Sequence, residues 1–273
     1  MSFCRQRNLT INEREGVAVN TVTEDAIRQH LHTTVFGRDL QVAAVLPSTN
    51  TTARELAQSG APEGTVVVAA AQTAGRGTRS RAFFSPQGGV YMSIILRPRE
   101  ADGCLITSCA AVAVARAIER LCPLNVQIKW VNDLYIGGRK LCGILTEAGF
   151  APDNSLDFVV LGIGVNVATT TFPPELAALA TSLGNEGCAV ERAALIAAIL
   201  EEWERAYATI GSGEFLAESR ARSCVLGRRV TVTRGSEQFT ATARDINDRG
   251  HLLVQKDDGD TVTLLSGEVS IRI

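Results

Sequence analysis

The sequence predicts an α+β protein in which a mixed β-sheet flanked by helices is followed by a small all-β domain. Up to residue 224, apolar β-branched runs typical of buried strands alternate with longer segments of helical character. From Leu226 onward, short strand-like segments recur at regular spacing between Gly, Asn and Asp turns, which is typical of a small β-barrel. We therefore assign residues 1–22 to a flexible N-terminus, 23–224 to the main domain and 225–273 to the barrel.

The main domain is predicted to contain both helices and strands. Thr23 is a candidate N-cap for a short helix, while Ser48 to Asn50 precede a second helix that reaches Gln58 and stops at Gly60. The other elements of this domain are strands at 65–71, 90–97, 126–131 and 157–167, a core helix at 105–122, a hairpin at 133–148 and helices at 191–210 and 214–224. The barrel strands are predicted at 228–235, 237–248, 251–255, 261–267 and 268–273.

Composition and charge limit the classes of function. The chain has 273 residues, 45% of them hydrophobic, and a net charge of −2 from 27 basic and 29 acidic residues. This balance excludes a surface that attracts polyanions as a whole, so any anion site has to be local. The N-terminus MSFCRQRNLT lacks the apolar region of a signal peptide, and the most apolar runs are too short to span a membrane. We expect a cytoplasmic protein with no membrane partner.

The cysteines and histidines do not suggest a metal site. The seven cysteines include no CxxC pair, and the spacing of Cys104 and Cys109 matches no common zinc pattern. Such scatter predicts small buried hydrophobic side chains in a reducing compartment. The three histidines, His30, His32 and His251, are too few and too dispersed to predict a metal cluster.

A glycine-rich segment with three arginines is the first candidate site. Within the stretch AQTAGRGTRSRAFFSPQGGVYMSIILRP, we call residues 74–81 the arginine loop; it carries Arg76, Arg79 and Arg81 between two apolar strands. Glycine lets backbone N–H groups turn toward a bound anion, and arginine adds fork-shaped donors for phosphate or carboxylate oxygens. No Walker lysine follows, and Ser80 stands where the dinucleotide fingerprint requires glycine. The loop predicts a local anion site, and the alternative is a solvated surface hairpin.

The hairpin of residues 133–148, which turns on a Gly-Gly pair, is the second candidate site. Strict alternation puts four side chains on one face: Asp133, Tyr135, Lys140 and Cys142. Asp133 then opposes Cys142 and lies diagonal to Lys140, about 7–8 Å away by Cα. One carboxylate beside an ammonium suits Mg²⁺ with an anionic substrate. The alternative is an ordinary cross-strand ion pair, worth less than about 1 kcal/mol.

Three further features carry polar or aromatic groups in apolar surroundings. Asn132 and Asn166 need hydrogen-bond partners, which are either backbone groups or a ligand. Trp130 is a flat surface for stacking on a base, or a core residue of its strand. Ser48 to Asn50 form either a helix cap or an anion site at a helix N-terminus.

Taken in chain order, these motifs resemble the biotin–protein ligases from Thr23 to the C-terminus. The matching segments are STN at 48–50, QTAGRGTRSR at 72–81, FFSPQGGVYMSIILRP at 83–98, KWVNDLYIGGRKLCGILTE at 129–147, GIGVNV at 162–167, FPPEL and ATSL within 172–183, and GEVSIR at 267–272. The resemblance implies a mixed sheet flanked by helices, of the class II synthetase-like type, with a small C-terminal SH3-like barrel.

The resemblance also implies a two-step ligase reaction. Family members join biotin to ATP to give biotinyl-5′-AMP and pyrophosphate, and then transfer the biotinyl group to one lysine of a carrier domain in a biotin-dependent carboxylase. Arg76 and the Gly75 and Gly77 backbone would close over biotin and the adenylate. Lys140 would bridge the biotin carboxylate and the α-phosphate. Because both reactants are anions, their repulsion has to be offset, and this cluster of cations would do so.

The resemblance assigns a role to each candidate residue. The implied catalytic residues are Lys140, Arg76 and Arg81. The implied biotin-binding residues are Ser48, Thr49, Asn50, Gln72, Gly75, Arg76, Gly77, Thr78, Lys140 and Gly143. The implied ATP-binding residues are Arg79, Arg81, Lys129, Trp130, Asn132, Asn166 and Phe172, and the implied Mg²⁺ ligand is Asp133.

The sequence departs from the family pattern at four positions. Thr78 stands where an arginine that helps to retain the adenylate is frequent, which implies leakage of the intermediate or weaker biotin affinity. Ser80 replaces a frequent glycine, Phe83 a frequent tryptophan, and Val131 a proline.

The partners follow from the same resemblance. We expect a biotin carboxyl carrier protein as substrate, and a homodimer stays open. A DNA partner is not expected, because few residues precede Ser48 and they do not suggest a winged helix. Two rival functions are a lipoate or other acyl ligase of the same superfamily, and a biotin or adenylate sensor with reduced turnover.

Overall fold

The strands in the described part of the chain form two sheets. The computed structural model describes residues 22–98, 103–234, 236–265 and 268–271. Residues 1–21, most of the predicted flexible N-terminus, lie outside that range, as do Gly267 and Arg272 of the GEVSIR motif.

The larger sheet has seven strands and is mixed. Its strands are β1 (Leu40–Leu46), β2 (Val66–Gln72), β3 (Val90–Leu96), β4 (Gln127–Lys129), β5 (Asp133–Ile136), β6 (Arg139–Phe150) and β7 (Leu156–Val165). Their spatial order is β1-β2-β3-β7-β6-β5-β4. Only β1 and β2 pair in parallel, and every other neighbouring pair in this sheet is antiparallel.

Helices pack against the larger sheet and form two apolar clusters with it. The helices are α1 (Glu24–His30), α2 (Thr49–Gln58), α3 (Gly103–Leu121), α4 (Pro174–Ala177), α5 (Arg192–Ala208) and α6 (Phe215–Ala221). Helices α3 and α5 contribute to the main core, which includes side chains from all seven strands of this sheet. Ala53 and Ala57 of α2 pack instead with Val67, Ile95 and Phe158 in a smaller cluster. The sheet is therefore flanked by helices, as the sequence predicts.

The C-terminal sheet is antiparallel and has five strands. They are β8 (Arg229–Arg234), β9 (Glu237–Ile246), β10 (Leu252–Gln255), β11 (Thr261–Leu264) and β12 (Glu268–Ile271), in the order β11-β10-β9-β8-β12. Val230, Val232, Ala241 and Val254 are buried and belong to the same apolar cluster as the main core. The predicted fold class, a helix-flanked mixed sheet with a small SH3-like C-terminal β-domain, is confirmed.

Two elements were missing from the sequence prediction. Strand β1 was not predicted because it is an edge strand in which only Leu40 is buried, so its side chains show neither alternation nor continuous burial. Helix α4 is a single turn in the Pro-rich loop. The predicted cap of α1 is confirmed, since the Thr23 side chain accepts a hydrogen bond from the Ala26 N–H.

The expectation for the cysteines was partly wrong. Cys104, Cys109 and Cys142 are buried thiols, but Cys122 and Cys188 form a disulfide that joins the end of α3 to the loop before α5. Their Cα atoms are 5.9 Å apart although 66 positions separate them in the chain. This pairing removes the cysteine pattern as an argument for a reducing compartment.

The described residues contain neither a cluster of metal-binding side chains nor a helix that could cross a membrane. No group of three or more His, Cys, Asp or Glu side chains in this part of the chain is arranged to hold a metal ion. None of the described helices combines the length and the apolar character that a membrane crossing needs.

Candidate active site

Two adjoining cavities bring the predicted site residues together. The larger has a volume of about 1320 Å³ and the smaller about 120 Å³. Nine residues line both: Thr78, Arg81, Ala82, Phe83, Asn132, Asp133, Lys140, Ile144 and Leu145. The two spaces therefore meet at a wall that carries an ammonium, a guanidinium and a carboxylate.

The predicted biotin-binding and ATP-binding residues line different cavities, apart from Thr78, Lys140, Arg81 and Asn132, which line both. The smaller cavity is lined by every predicted biotin-binding residue except Gly75, namely Ser48, Thr49, Asn50, Gln72, Arg76, Gly77, Thr78, Lys140 and Gly143. The larger is lined by all predicted ATP-binding residues, namely Arg79, Arg81, Lys129, Trp130, Asn132, Asn166 and Phe172. Asp133, the predicted metal ligand, borders both.

A network of hydrogen bonds orders the polar wall of the smaller cavity. Gln72 Oε1 accepts from the Thr49 N–H at 2.8 Å, and its amide donates to Ser85 Oγ at 2.9 Å. Ser93 Oγ lies 2.8 Å from Thr49 Oγ1 and 2.6 Å from Asn50 Oδ1. These contacts join the start of α2 to β2 and β3, so the polar wall is set before any ligand binds.

Glycines in the sheet make room for the side chains of this wall. A Cβ at Gly162 would lie 2.0 Å from Asn50 Oδ1, and a Cβ at Gly164 would lie 2.6 Å from the Phe83 ring. Only glycine therefore allows Asn50 and Phe83 their positions over β7.

The arginine loop is folded back on itself by backbone hydrogen bonds. The Gly77 N–H donates to Arg81 O at 2.8 Å, and the Phe83 N–H donates to Gly75 O at 2.9 Å. A Cβ at Gly75 would lie 2.5 Å from the Phe83 carbonyl oxygen. Gly75 therefore permits close packing inside the loop and lines neither cavity. Its role toward biotin stays a prediction.

Two arginines of the loop reach different parts of the molecule. Arg76 Nη2 lies 2.8 Å from Glu147 Oε1 on β6. Arg79 has a left-handed backbone with φ of 56°, and its Nη2 donates to Thr233 O of the C-terminal sheet at 2.7 Å. The loop is thus attached to both sheets.

The hairpin differs from strict alternation at one residue. Tyr135 pairs with Lys140 as predicted, but the register shifts after it and Asp133 pairs with Gly143 instead of Cys142. The extra residue on β6 makes a β-bulge, which turns Cys142 into the core, where it is fully buried. Placing Cys142 on the site face was therefore wrong, because a buried thiol in the core is more favourable than an exposed one at the site.

Asp133 and Lys140 form an ion pair at the junction of the two cavities. Lys140 Nζ lies 2.6 Å from Asp133 Oδ1 and 5.8 Å from the centroid of the Phe83 ring. Asp133 Oδ1 is buried and accepts no hydrogen bond of normal geometry within the described residues. The contact is therefore an ion pair rather than an aligned hydrogen bond, and the carboxylate keeps capacity for another ligand.

The Lys140 backbone is held on both sides by the segment after α4. Its N–H donates to Leu179 O at 2.8 Å, and its carbonyl accepts from the Thr181 N–H at 2.9 Å. The Thr181 carbonyl in turn accepts from Asn166 Nδ2 at 3.0 Å. One short segment thus positions both Lys140 and Asn166.

The aromatic and amide groups of the larger cavity are engaged by the protein. Trp130 is 4% exposed, and its indole N–H donates to Gly250 O at 2.8 Å. Asn132 Nδ2 donates to Ile144 O at 3.1 Å. The side chains of Trp130, Asn132 and Asn166 therefore all donate to backbone carbonyls, and Trp130 is also buried. These contacts fit the alternative in which the three are core or backbone-bound residues. Their roles toward a nucleotide stay predictions.

Several site residues were not singled out from the sequence. Glu147 contacts Arg76 and Asn50, and Ser93 bridges Thr49 and Asn50. Ser93 had a detectable signal, because a serine inside the apolar run VYMSIILR needs a buried partner. The C-terminal domain adds three residues to the larger cavity: Arg249, His251 and Leu265.

Two protein-family models and several known proteins match this chain. Residues 42–166 match the Biotin/lipoate A/B protein ligase family, and residues 225–272 match the Biotin protein ligase C terminal domain. The chain is 41% identical over 252 residues to the Bifunctional ligase/repressor BirA of Bacillus subtilis (strain 168), a match covering 87% of this chain and 76% of that protein. The chain belongs to the biotin/lipoate A/B protein ligase family.

Other members of the family extend the likeness to the whole fold. The Biotin--[acetyl-CoA-carboxylase] ligase of Mycobacterium tuberculosis is 35% identical over 245 residues, covering 85% of this chain and 88% of that one. The biotin protein ligase of Aquifex aeolicus, solved in complex with biotin and ATP, superposes with a TM-score of 0.76 at 26% identity. That match covers 86% of this chain and 99% of the other.

Proposed function

We propose that this family member is a biotin–protein ligase. It joins biotin to ATP, giving biotinyl-5′-AMP and pyrophosphate, and then transfers the biotinyl group to one lysine of a biotin carboxyl carrier domain. The observation that carries the proposal is the pair of adjoining cavities with Lys140 and Arg81 in their common wall. The names of the relatives and the Aquifex aeolicus complex support the same substrates.

In the first step a biotin carboxylate oxygen attacks the α-phosphorus of ATP, and pyrophosphate leaves. Both reactants are anions, so the reaction needs fixed cations where they meet. Lys140 lies at the junction and reaches toward either cavity, while Arg81 borders both. We assign Lys140 to the biotin carboxylate and the α-phosphate, and Arg79 and Arg81 to the other phosphates. Their contribution is positioning and electrostatic stabilisation, with no covalent enzyme intermediate.

In the second step the ε-amine of the acceptor lysine attacks the carbonyl carbon of the mixed anhydride. AMP leaves with the bonding electrons, and the new amide loses a proton to solvent. Between the steps the anhydride has to be kept from water. The arginine loop borders the smaller cavity through Arg76, Gly77 and Thr78, and we assign this shielding to it. Thr78 lines both cavities, so its effect on adenylate retention is part of the proposal.

Asp133 fits the role of a Mg²⁺ ligand. Its Oδ1 is buried, lacks a hydrogen-bond donor of normal geometry among the described groups and borders the predicted phosphate site. Mg²⁺ commonly takes one or two protein carboxylates and completes its shell with phosphate oxygens and water. When bound, the ion would neutralise phosphate charge. Asp133 also holds Lys140 in place, so the same carboxylate serves both cations.

Mass spectrometry of a purified carrier domain, incubated with this protein, biotin and Mg-ATP, tests the proposal. We expect a gain of one biotinyl group on the acceptor lysine. A parallel reaction with lipoate identifies the rival acyl ligase, which would modify the carrier with lipoate instead. Biotin-dependent pyrophosphate release separates a ligase from a sensor, because a sensor releases none. A cytoplasmic location and the absence of a DNA partner stay predictions, and a homodimer stays open.

A further inference from the structure

Glu147, on β6, touches two residues of the smaller cavity without lining either cavity itself. Its Oε1 lies 2.8 Å from Arg76 Nη2, and its Oε2 accepts from Asn50 Nδ2 at 2.8 Å. The Glu147 side chain is 18% exposed, whereas that of Arg76 is 45% exposed. Each carboxylate oxygen therefore accepts a hydrogen bond from a different residue of the smaller cavity.

The contact with Glu147 orients the Asn50 side chain. A carboxylate only accepts hydrogen bonds, so the NH₂ group of Asn50 has to face Glu147 and its Oδ1 has to face the Ser93 hydroxyl. Gly162, which has no Cβ, leaves the space that this amide occupies.

The contact with Glu147 also anchors the arginine loop. Glu147 is the single partner of the Arg76 guanidinium in the described chain. Arg76 lines the smaller cavity alone, whereas Arg81 of the same loop lines both cavities. A half-exposed arginine on a glycine-rich loop otherwise keeps its side-chain freedom, and a ligand would have to order it on binding.

We propose that Glu147 is a positioning residue that latches Arg76, and with it the arginine loop, over the smaller cavity before a substrate binds. The inference rests on the proposed function for the identity of the substrate, which carries a carboxylate that Arg76 would contact. The latch itself is a property of the ligand-free protein. Because its ordering benefit is present in the ground state and the transition state alike, its loss raises KM for biotin more than it lowers kcat.

The first test is limited trypsin digestion of the ligand-free protein. Trypsin cleaves after arginine, and cleavage after Arg76 reports how often the loop opens. Glu147→Gln keeps an acceptor for Asn50 but removes the charge that holds Arg76. We expect cleavage after Arg76 to become several-fold faster than in the matched control Glu55→Gln, which removes the same charge from an exposed position on α2. Equal cleavage rates in the two variants would overturn the latch.

Steady-state kinetics supply the second test. We expect Glu147→Gln to raise KM for biotin by about tenfold, equivalent to about 1.4 kcal/mol, with a smaller change in kcat. Glu147→Ala also loses the Asn50 contact and should raise KM further. A fall in kcat with KM unchanged would contradict a positioning role.

The two tests separate this inference from the proposed function. If the wild-type protein makes no biotinyl-5′-AMP while Glu147→Gln still opens the loop, the function fails and the latch stands. If the wild-type protein is active and Glu147→Gln matches Glu55→Gln in both tests, the latch fails and the function stands. Should Glu147→Gln not fold, Arg76→Gln breaks the same pair, and faster cleavage after Arg79 is then the expected result.

Discussion

At the scale of single residues, Lys140 is a cation of the site that is held by contacts of both its backbone and its side chain. Its backbone is held by Leu179 and Thr181, and its ammonium lies between Asp133 and the Phe83 ring. The lysine is therefore positioned before ligands arrive, as electrostatic catalysis requires. Its side chain is 31% exposed, which leaves the ammonium accessible from the cavities.

Replacing Lys140 should affect the first chemical step. For Lys140→Ala we expect the rate of biotinyl-5′-AMP formation to fall by about 10²–10³-fold, because charge that develops in the transition state loses its fixed partner. ATP binding should weaken much less. Single-turnover pyrophosphate release, together with equilibrium ATP binding, measures the two effects.

Lys256→Ala is the matched control for this prediction. Lys256 lies over the Phe239 ring of the C-terminal sheet, 4.8 Å from its centroid, and lines neither cavity. The Lys256→Ala variant should keep the wild-type rate of biotinyl-5′-AMP formation. Equal losses of binding and rate in Lys140→Ala would show that Lys140 only binds substrate.

At the scale of secondary-structure elements, an ion cluster joins α3 to α6 and its C-terminal end. Arg222 lies 2.7 Å from both Glu119 Oε1 and Glu218 Oε1, and Arg116 also contacts Glu218. Burial acts to raise the pKa of the Glu218 carboxyl, but hydrogen bonds from Arg116 and Arg222 and their charges outweigh it and hold the pKa below its usual value. The pKa of the Glu119 carboxyl is lowered in the same way: burial raises it, and bonds from Arg222 and the Val126 N–H outweigh the burial.

These lowered pKa values predict an acid-sensitive contribution to stability. A carboxyl whose pKa is depressed in the folded state stabilises the protein above its unfolded pKa of about 4.3, and the contribution is lost as the pH falls through the folded value. We expect Glu218→Gln to lower the free energy of unfolding by about 1 kcal/mol near neutral pH, since the pair is partly exposed. The difference from wild type should shrink on acidification.

Urea unfolding at a series of pH values checks the prediction, with Glu55→Gln as the control of equal charge. A difference between Glu218→Gln and wild type that stays constant down to acidic pH would contradict the assigned ion cluster.

At the scale of the whole molecule, the larger cavity is lined by residues of both domains. The Trp130 indole bonds to Gly250, and Arg79 bonds to Thr233, so the two contacts fasten the main domain to the C-terminal sheet beside the cavity. Arg249, His251 and Leu265 complete the wall. The C-terminal domain is therefore part of the candidate active site.

The disulfide also affects the whole molecule, because it closes a covalent loop that contains β4 to β7 and Lys140. A cross-link across 66 positions restricts the unfolded chain and should stabilise the folded state by about 4 kcal/mol. We expect dithiothreitol to lower the urea midpoint of the wild-type protein. The double variant Cys122→Ser/Cys188→Ser should start at the lowered midpoint and show no further response to the reductant. A midpoint unaffected by reductant in the wild-type protein would contradict the pairing.

The sequence predicted much of the fold, because the signals were local. β-branched runs marked the buried strands β2, β3 and β7, Thr23 marked a helix start, and the Gly137-Gly138 pair marked the hairpin turn. Edge strand β1 was missed because an exposed edge imposes little pattern on its side chains. The site residues came from motifs, and the structure brought all but Gly75 to the two cavities.

By itself the sequence determined the two-part architecture, the order of most elements and the set of cations and amides available to a ligand, because propensity, turn chemistry and motif spacing act over a few residues. The tertiary structure alone decided the bulge that sends Cys142 into the core, the pairing of Cys122 with Cys188, and the sharing of Glu147 between Arg76 and Asn50. Each of these depends on which distant segments pack together. That choice is set by the burial and hydrogen bonding of the whole chain, which no short stretch of sequence encodes.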